Sequence, residues 1–350
     1  GGVDSSVTAL LLQKKGFDVE CVFMKNWEGN DDEYCTAEED YKDALAVCDH
    51  LGLPLRSVNF SQEYWDKVFQ HFIDEYKKGR TPNPDVLCNR EVKFKAFLDY
   101  ALELGAEKIA TGHYSIIDEL NGDFKLLKGL DPGKDQSYFL YLLGQNALSK
   151  SIFPIGDIEK KEVRKLAEES GLVNHAKKDS TGVCFIGEQK FFKEFLKKYI
   201  PSNPGMIETI DGKECGKHDG LMYYTIGQRK GLGIGGGYGK LEAPWFVAEK
   251  DLYRNVLIVA QGHTHPALYH KQLFADQIHW IRGLVPEDLS GLSAKIRYRQ
   301  SDQKCKITEL SQDRCTVVFD KPQFAITPGQ SVVFYRDNEC LGGAVIDCRK

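Results

Sequence analysis

From residue 1 to about 187, short apolar runs alternate with stretches of helical period, the pattern of a parallel sheet covered by helices. Val7, Leu10 and Leu11 form a helical stripe that Gly16 is placed to stop. Val19 to Met24 reads as a strand, and Ala37 to Leu51 as a helix with Thr36 and Glu39 as its capping box. Leu55 to Phe60 is the next strand, followed by a long helix through Trp65, Val68, Phe69, Phe72 and Tyr76. The prolines of Thr81 to Pro84 predict a break, with a new helix from Glu91 to Leu104. Lys108 to Ala110 reads as a buried strand ending at Thr111-Gly112-His113. The expectation for this part is a doubly wound α/β fold with a parallel sheet.

One more amphipathic helix at 189 to 199 leads to Pro201-Ser202-Asn203-Pro204-Gly205, which breaks the chain. From 206 to about 265 the sequence is strand-like, with Gly227, Gly231, Gly233, Gly235, Gly236 and Gly237 crowded together as a loop that substrate could order. From 272 onward, alternating runs at 276 to 281, 293 to 299, 303 to 309, 314 to 319 and 331 to 335 predict a small antiparallel β-barrel. Three units are expected: 1–199, a small β-rich central domain at 200–266, and a C-terminal barrel at 267–350.

The 350 residues are 42% apolar and 28% charged, as in a globular protein, and no apolar run approaches the ~18 residues of a membrane span. Ten scattered cysteines fit free thiols in a reducing compartment, so a cytoplasmic location is expected. There is no Cys-x-x-Cys pair, and His263, His265 and His270 lack acidic or thiol partners nearby, so no protein metal site is expected. A net charge of −5 argues against indiscriminate nucleic-acid binding but leaves room for a local basic face.

Gly1-Gly2-Val3-Asp4-Ser5-Ser6 places a glycine pair directly before a helix. Without Cβ atoms the backbone N–H groups can approach a phosphate, the helix presents its positive end, and the serines add hydroxyl donors. The spacing is neither that of a Walker loop nor that of a dinucleotide fingerprint, and any glycine turn before a helix has the same outline. Such a loop should follow a buried strand, so the sequence is expected to lack a short N-terminal segment. Gly-Gly-Val-Asp-Ser resembles the PP-loop of ATP pyrophosphatases.

Two cysteines have distinctive settings. Cys88, in Asn83-Pro84-Asp85-Val86-Leu87-Cys88-Asn89, is read at a helix start, where the dipole favours the thiolate; Asp85 could act beside it as acid or base. The alternative is a buried small hydrophobe with a capping aspartate. Cys184 lies in a polar loop after Lys177 and Lys178, which would favour its thiolate, and burial is again the alternative.

Taken together, Phe23-Met24-Lys25-Asn26-Trp27, Arg80 to Asn89, Ala110 to Tyr114, Lys134 to Leu140, Gly182 to Gly187, Gly227 to Gly233 and Thr327 to Gln330 resemble the bacterial tRNA-uridine 2-sulfurtransferases over nearly the whole chain. That resemblance implies adenylation of the wobble uridine's C2 oxygen by ATP, with Mg²⁺, followed by replacement of AMP by sulfur. Gly1, Gly2, Val3, Asp4 and Ser5 would hold the departing pyrophosphate, and Met24 and Gly112 the adenosine. Cys184 would carry sulfur as a persulfide and Cys88 would be the nucleophile that resolves it, so their Cα atoms must come within about 7 Å in one state.

For the RNA, the resemblance places Asn83, Pro84 and Asp85 against the target base, with His113, Lys134, Asp135 and Gln136 near the tRNA, and Arg297, Tyr298 and Gln330 as contacts from the barrel. Lys295, Arg297 and Arg299 would then share one strand face and track phosphates, although an ordinary solvated charged face has the same pattern. The implied partners are tRNA and a sulfur-donating protein, a persulfide carrier or cysteine desulfurase. Two other readings remain: a PP-loop ligase, which needs no reactive thiols, and an RNA-binding protein with a relic nucleotide site.

Overall fold

The structure is a computed structural model that describes residues 1–28, 37–179, 192–234 and 243–350. Cys184, Thr36 and Gly235–Gly237 fall outside the described residues.

Helix α1 (Val3–Lys14) ends where Gly16 turns to φ +83 and the amides of Gly16 and Phe17 bond back to Gln13 and Leu12, a left-handed stop that glycine adopts without strain. Strand β1 (Cys21–Lys25) follows, then α2 (Ala37–Leu51), whose first turn holds Glu38, Glu39 and Asp40 and whose last holds His50, the order a helix dipole favours. Strand β2 (Leu55–Asn59) pairs in parallel with β1. Helix α3 runs from Ser61 to Lys77 with a π-turn at Trp65–Phe69, and buries Val68, Phe69, Phe72 and Tyr76 as the periodicity predicts, while Trp65 of the same stripe is exposed.

The next helix departs from expectation. Helix α4 starts at Pro84 rather than Glu91 and continues to Glu103 through a π-helical stretch, Cys88–Ala96. Pro84 occupies the first helical turn, where its missing N–H costs nothing, and the Asn83 carboxamide oxygen accepts from the Asp85 amide. The prolines therefore open this helix instead of interrupting the chain before it.

Strand β3 (Ile109–Ala110) pairs in parallel with β6 (Ser151–Ile152), giving a second parallel pair. Between them the chain forms a hairpin absent from the expectation, β4 (Ser115–Leu120) and β5 (Asp123–Lys128). Its two-residue turn, Asn121 at φ +55 and Gly122 at φ +82, matches the right-handed twist of the strands.

The central unit is a four-stranded sheet ordered β8–β7–β10–β9, from β7 (Gly205–Thr209), β8 (Glu214–His218), β9 (Trp245–Asp251) and β10 (Val256–Gln261). The last unit has β11 (Tyr269–Trp280), β12 (Ser293–Lys295), β13 (Gln303–Leu310), β14 (Arg314–Phe324), β15 (Ser331–Arg336) and β16 (Glu339–Arg349). Pairing β11 with β16 closes these six antiparallel strands into a barrel filled by Leu273, Leu292, Val317, Phe319, Val332, Phe334 and Ile346. The hairpin is joined to it: Leu127 of β5 lies opposite Glu339 of β16, and Leu126 opposite Cys340.

The proposed phosphate-tracking stripe does not form. Strand β12 ends at Lys295, and Arg299 lies in a turn at φ +64, so the three cations share no strand face.

Candidate active site

Helix α1 begins beside a cleft of about 2590 Å³ that extends between the two parallel strand pairs, so its volume exceeds what any one ligand would fill. Gly2 is the N-cap in an extended conformation with no side-chain cap, and the first intrahelical bond runs from the Ser6 amide to the Gly2 carbonyl, 3.2 Å. The amides of Val3, Asp4 and Ser5 thus lack helical partners at the positive end of a 12-residue helix. The Ser5 and Ser6 hydroxyls donate back to the Gly2 carbonyl at 2.9 and 3.0 Å, so in this arrangement the backbone supplies the donors to an anion.

Neighbouring elements fix this helix end. The loop after β3 lies directly on it: a Cβ on Gly112 would stand 2.7 Å from the Asp4 carbonyl carbon and 2.8 Å from the Ser5 nitrogen, so only glycine fits. Asp4 Oδ1 accepts from the Tyr114 hydroxyl and from Lys160 Nζ, both at 2.7 Å. Asn174 donates to the Gly1 carbonyl at 3.2 Å and to Ser6 Oγ at 2.9 Å. Lys160 also meets Asp179 at 2.8 Å, where Lys134 (2.6 Å) and Arg164 (2.8 Å) converge. Burial opposes the Asp179 charge, but hydrogen bonds and charges from Lys134 and Lys160 prevail and hold it at about 2. Three cations therefore converge on one carboxylate, and of this group Lys134 and Asp179 line the cleft.

Tyr114, Lys160 and Asn174 escaped the sequence reading, since their partners lie 110, 156 and 168 or more positions away. Met24, at the end of β1, and Gly112 both line the cleft.

Further along the same cleft lie Asp85, Lys93 and His113. Burial raises the Asp85 pKa while the Lys93 charge pulls it down, which leaves the carboxyl above the ordinary aspartate range. His113 is buried between the rings of Phe94 and Phe153, at 5.6 and 5.7 Å, with Nδ1 2.7 Å from the Thr111 hydroxyl. Burial and the Lys93 charge hold its pKa well below the histidine norm, so it is a neutral imidazole at physiological pH.

Cys88 is placed differently from the expectation. Because α4 starts at Pro84, Cys88 is one turn inside the helix and its amide already bonds to Pro84 and Asp85. The dipole argument for a stabilised thiolate, which holds for the first turn, therefore does not apply. The side chain is 3% exposed and packs in the main core with Val86 and Val92.

The remaining candidates divide into two groups. Lys134, Gln136 and Tyr298 line the cleft; Gln136 Oε1 accepts from the Tyr114 amide at 2.9 Å, and the Tyr298 ring lies 4.5 Å from Phe139. Asn83, Pro84, Asp135, Arg297 and Gln330 serve as internal joints. Buried Asp135 accepts from the amides of Gly129 and Ser137 and from Lys295 Nζ at 3.0 Å. Arg297 Nη2 donates to the carbonyls of Ile226 and Ala325, and Gln330 Nε2 to the carbonyl of Thr81 at 2.8 Å.

Family models match nearly all of the chain: one described as the HUP domain of a tRNA methyl transferase at residues 1–188, its PRC-barrel domain at 193–261, and an aminomethyltransferase β-barrel domain at 270–346. The tRNA-specific 2-thiouridylase MnmA of Methylococcus capsulatus is 58% identical over 99% of this chain and 94% of its own length. The protein of the same name from Hydrogenovibrio crunogenus is 60% identical over 100% of this chain and 92% of its own. Among solved structures, the U34-tRNA thiolase NcsA of Methanococcus maripaludis, with its [4Fe-4S] cluster, covers 57% of this chain and 64% of its own at 19% identity and TM-score 0.35, too slight a likeness to bear on fold or cofactor.

Proposed function

The chain belongs to the tRNA-specific 2-thiouridylase family, and from that premise we propose that its cleft activates the wobble uridine of tRNA with ATP and then exchanges oxygen for sulfur at C2. It is an enzyme, a sulfurtransferase acting on tRNA uridine. The observation that carries the mechanistic reading is that one cleft joins an open helix N-terminus at Gly1 to Ser5 with Asp85, the candidate acid–base group.

The division of labour follows the three units 1–199, 200–266 and 267–350. In the first, the amides of Val3 to Ser5 with Lys160 and Lys134 receive the β and γ phosphates, and Met24 and Gly112 border the adenosine. Mg²⁺ would be held chiefly by the triphosphate, with Asp4 in the first turn of α1 as a protein carboxylate within reach, and would supply charge neutralisation to the departing pyrophosphate. A carbonyl oxygen is a poor leaving group. Uridine O2 bonds to the α-phosphorus as pyrophosphate departs, and the N3 proton passes to the Asp85 carboxylate, whose raised pKa suits it to accept.

The terminal sulfur of a Cys184 persulfide then attacks C2 and AMP leaves. Cys88 then attacks the inner sulfur, its thiol proton passing to the 2-thiouridine that leaves, and is joined to Cys184 as a disulfide, which an external thiol reduces. Lys134, Gln136, His113 and Tyr298 border the RNA side, and Asn83, Pro84, Asp135, Arg297 and Gln330 support it. A cytoplasmic enzyme with a persulfide-donating partner protein is the setting this chemistry requires.

The test is incubation with ATP, Mg²⁺, a persulfide source and tRNA, followed by mass analysis of the wobble nucleoside. An oxygen-to-sulfur gain only with all four, accompanied by AMP and pyrophosphate, is expected; thiolation that proceeds without ATP overturns the reading.

A further inference from the structure

We propose that Lys93 is a catalytic residue of this cleft, its ammonium stabilising the negative charge that uracil acquires as N3 loses its proton. The proposal rests on the reading of the cleft as the uridine-activating site.

The local fold carries the argument. Asp85, Cys88 and Lys93 lie along α4 at intervals of three and five. In a regular α-helix an interval of five swings a side chain some 140° away. In the π-helical stretch Cys88–Ala96 backbone bonds span five residues, so position 93 returns above position 88 and continues the face begun by Asp85. The stretch is broken at Phe94, at φ −104 and ψ 16, where the ring is buried against His113 and Phe153. That break pins Lys93 at the cleft wall beside Asp85 and His113, the two groups its charge reaches.

Several cations at or near this wall are already engaged, Lys134 and Lys160 with Asp179 and Lys177 with Asp40 and Asp43. Lys108 and Lys178, which also line the cleft, do not stand on the helix that carries Asp85. Arg299 lies over the Tyr298 ring at 5.3 Å. Lys93 has no ion-pair or hydrogen-bond partner among the described residues. Holding a cation unpaired in a half-buried wall is unfavourable unless an anion arrives. When the N3 proton moves to Asp85, the negative charge moves from carboxylate to base, and a fixed ammonium beside both keeps that transfer from being a charge separation. His113, held neutral, adds no competing positive charge.

The experiment measures tRNA-dependent pyrophosphate release by wild type, Lys93→Met and Lys93→Arg, each first matched to wild type by circular dichroism and melting temperature. Lys93→Met should lose on the order of 100-fold in kcat, the scale of one preorganised charge-stabilising group, with KM for tRNA and ATP within about threefold; Lys93→Arg should regain at least about tenfold. A Lys93→Met kcat within about threefold of wild type, a loss confined to KM, or an arginine variant no better than methionine overturns the proposal. If wild type itself releases no pyrophosphate with tRNA, the reading of the cleft fails instead.

Discussion

Gln330 of the barrel holds Thr81 of the first unit: its Nε2 donates to the Thr81 carbonyl at 2.8 Å, and the Thr81 amide in turn donates to the Pro328 carbonyl at 2.9 Å. Thr81 is four residues before Asp85, so the barrel sets the start of the helix that carries the proposed acid–base group. Gln330→Ala should cost about 1–2 kcal/mol in urea unfolding, the range for a lost buried hydrogen bond, and lower kcat for pyrophosphate release more than it raises KM for tRNA. A pure KM effect would make Gln330 a direct RNA contact.

The same joint contains Gly329 at φ +90, where a Cβ would stand 2.9–3.0 Å from three backbone atoms of Thr81. Neither partner can yield by rotating a side chain. Gly329→Ala should destabilise the protein by roughly 1–3 kcal/mol, read as a lower urea midpoint with an unchanged slope.

At the other end of the cleft, Gly112→Ala would drive a methyl group into the backbone of Asp4 and Ser5. The cradle would shift while the core stays intact. Calorimetry should show ATP binding weakened by at least about tenfold, a loss of ~1.4 kcal/mol, with the melting temperature changed by a few degrees only.

Lys295 and Asp135 are both buried and 3.0 Å apart, with Lys295 also 3.8 Å from Asp302. Lys295→Met leaves a buried carboxylate short of its counter-charge and should cost about 3–5 kcal/mol by thermal or urea unfolding. If Lys295 instead met tRNA phosphates, the salt dependence of tRNA binding would become shallower and stability would hardly move.

His113 gives a pH signature. Its folded pKa lies below the ordinary 6.5, so the folded state binds fewer protons than the unfolded one as the solution is acidified. Its contribution is intact above about pH 6.5 and is lost as pH falls toward the folded pKa, with a slope of at most about 1.4 kcal/mol per pH unit. His113→Gln should therefore lose less stability than wild type between pH 6.5 and 5. Parallel curves would show a charged imidazole.

How much of this was legible varied with the kind of information involved. The period of residues 37–51 gives α2, and alternation gives most of the barrel, because those patterns report burial directly. Strand β16 escaped because Gly342 and Gly343 remove two side chains from its alternation. The β4–β5 hairpin carries its Asn121-Gly122 turn signal openly in the sequence. The cradle residues Gly1 to Ser5 are contiguous and so readable, whereas Lys160, Asn174 and Tyr114 reach them only through tertiary folding. Lys93 needed the π-helical register, which no periodicity rule anticipates.

The hairpin strand that runs alongside β16 has a mechanical consequence. Lys128 of that strand also bonds by its amide to the Asn338 carbonyl at 2.9 Å and by its ammonium to Asp302, so the seam is stitched by main chain and by charge. A swinging hinge between the first unit and the barrel would have to unzip it. Whatever opens to admit an anticodon loop must accordingly be sought in segments that cross no such seam, and a barrel cut free at residue 267 would leave bare the stretch of β16 that the hairpin had occupied.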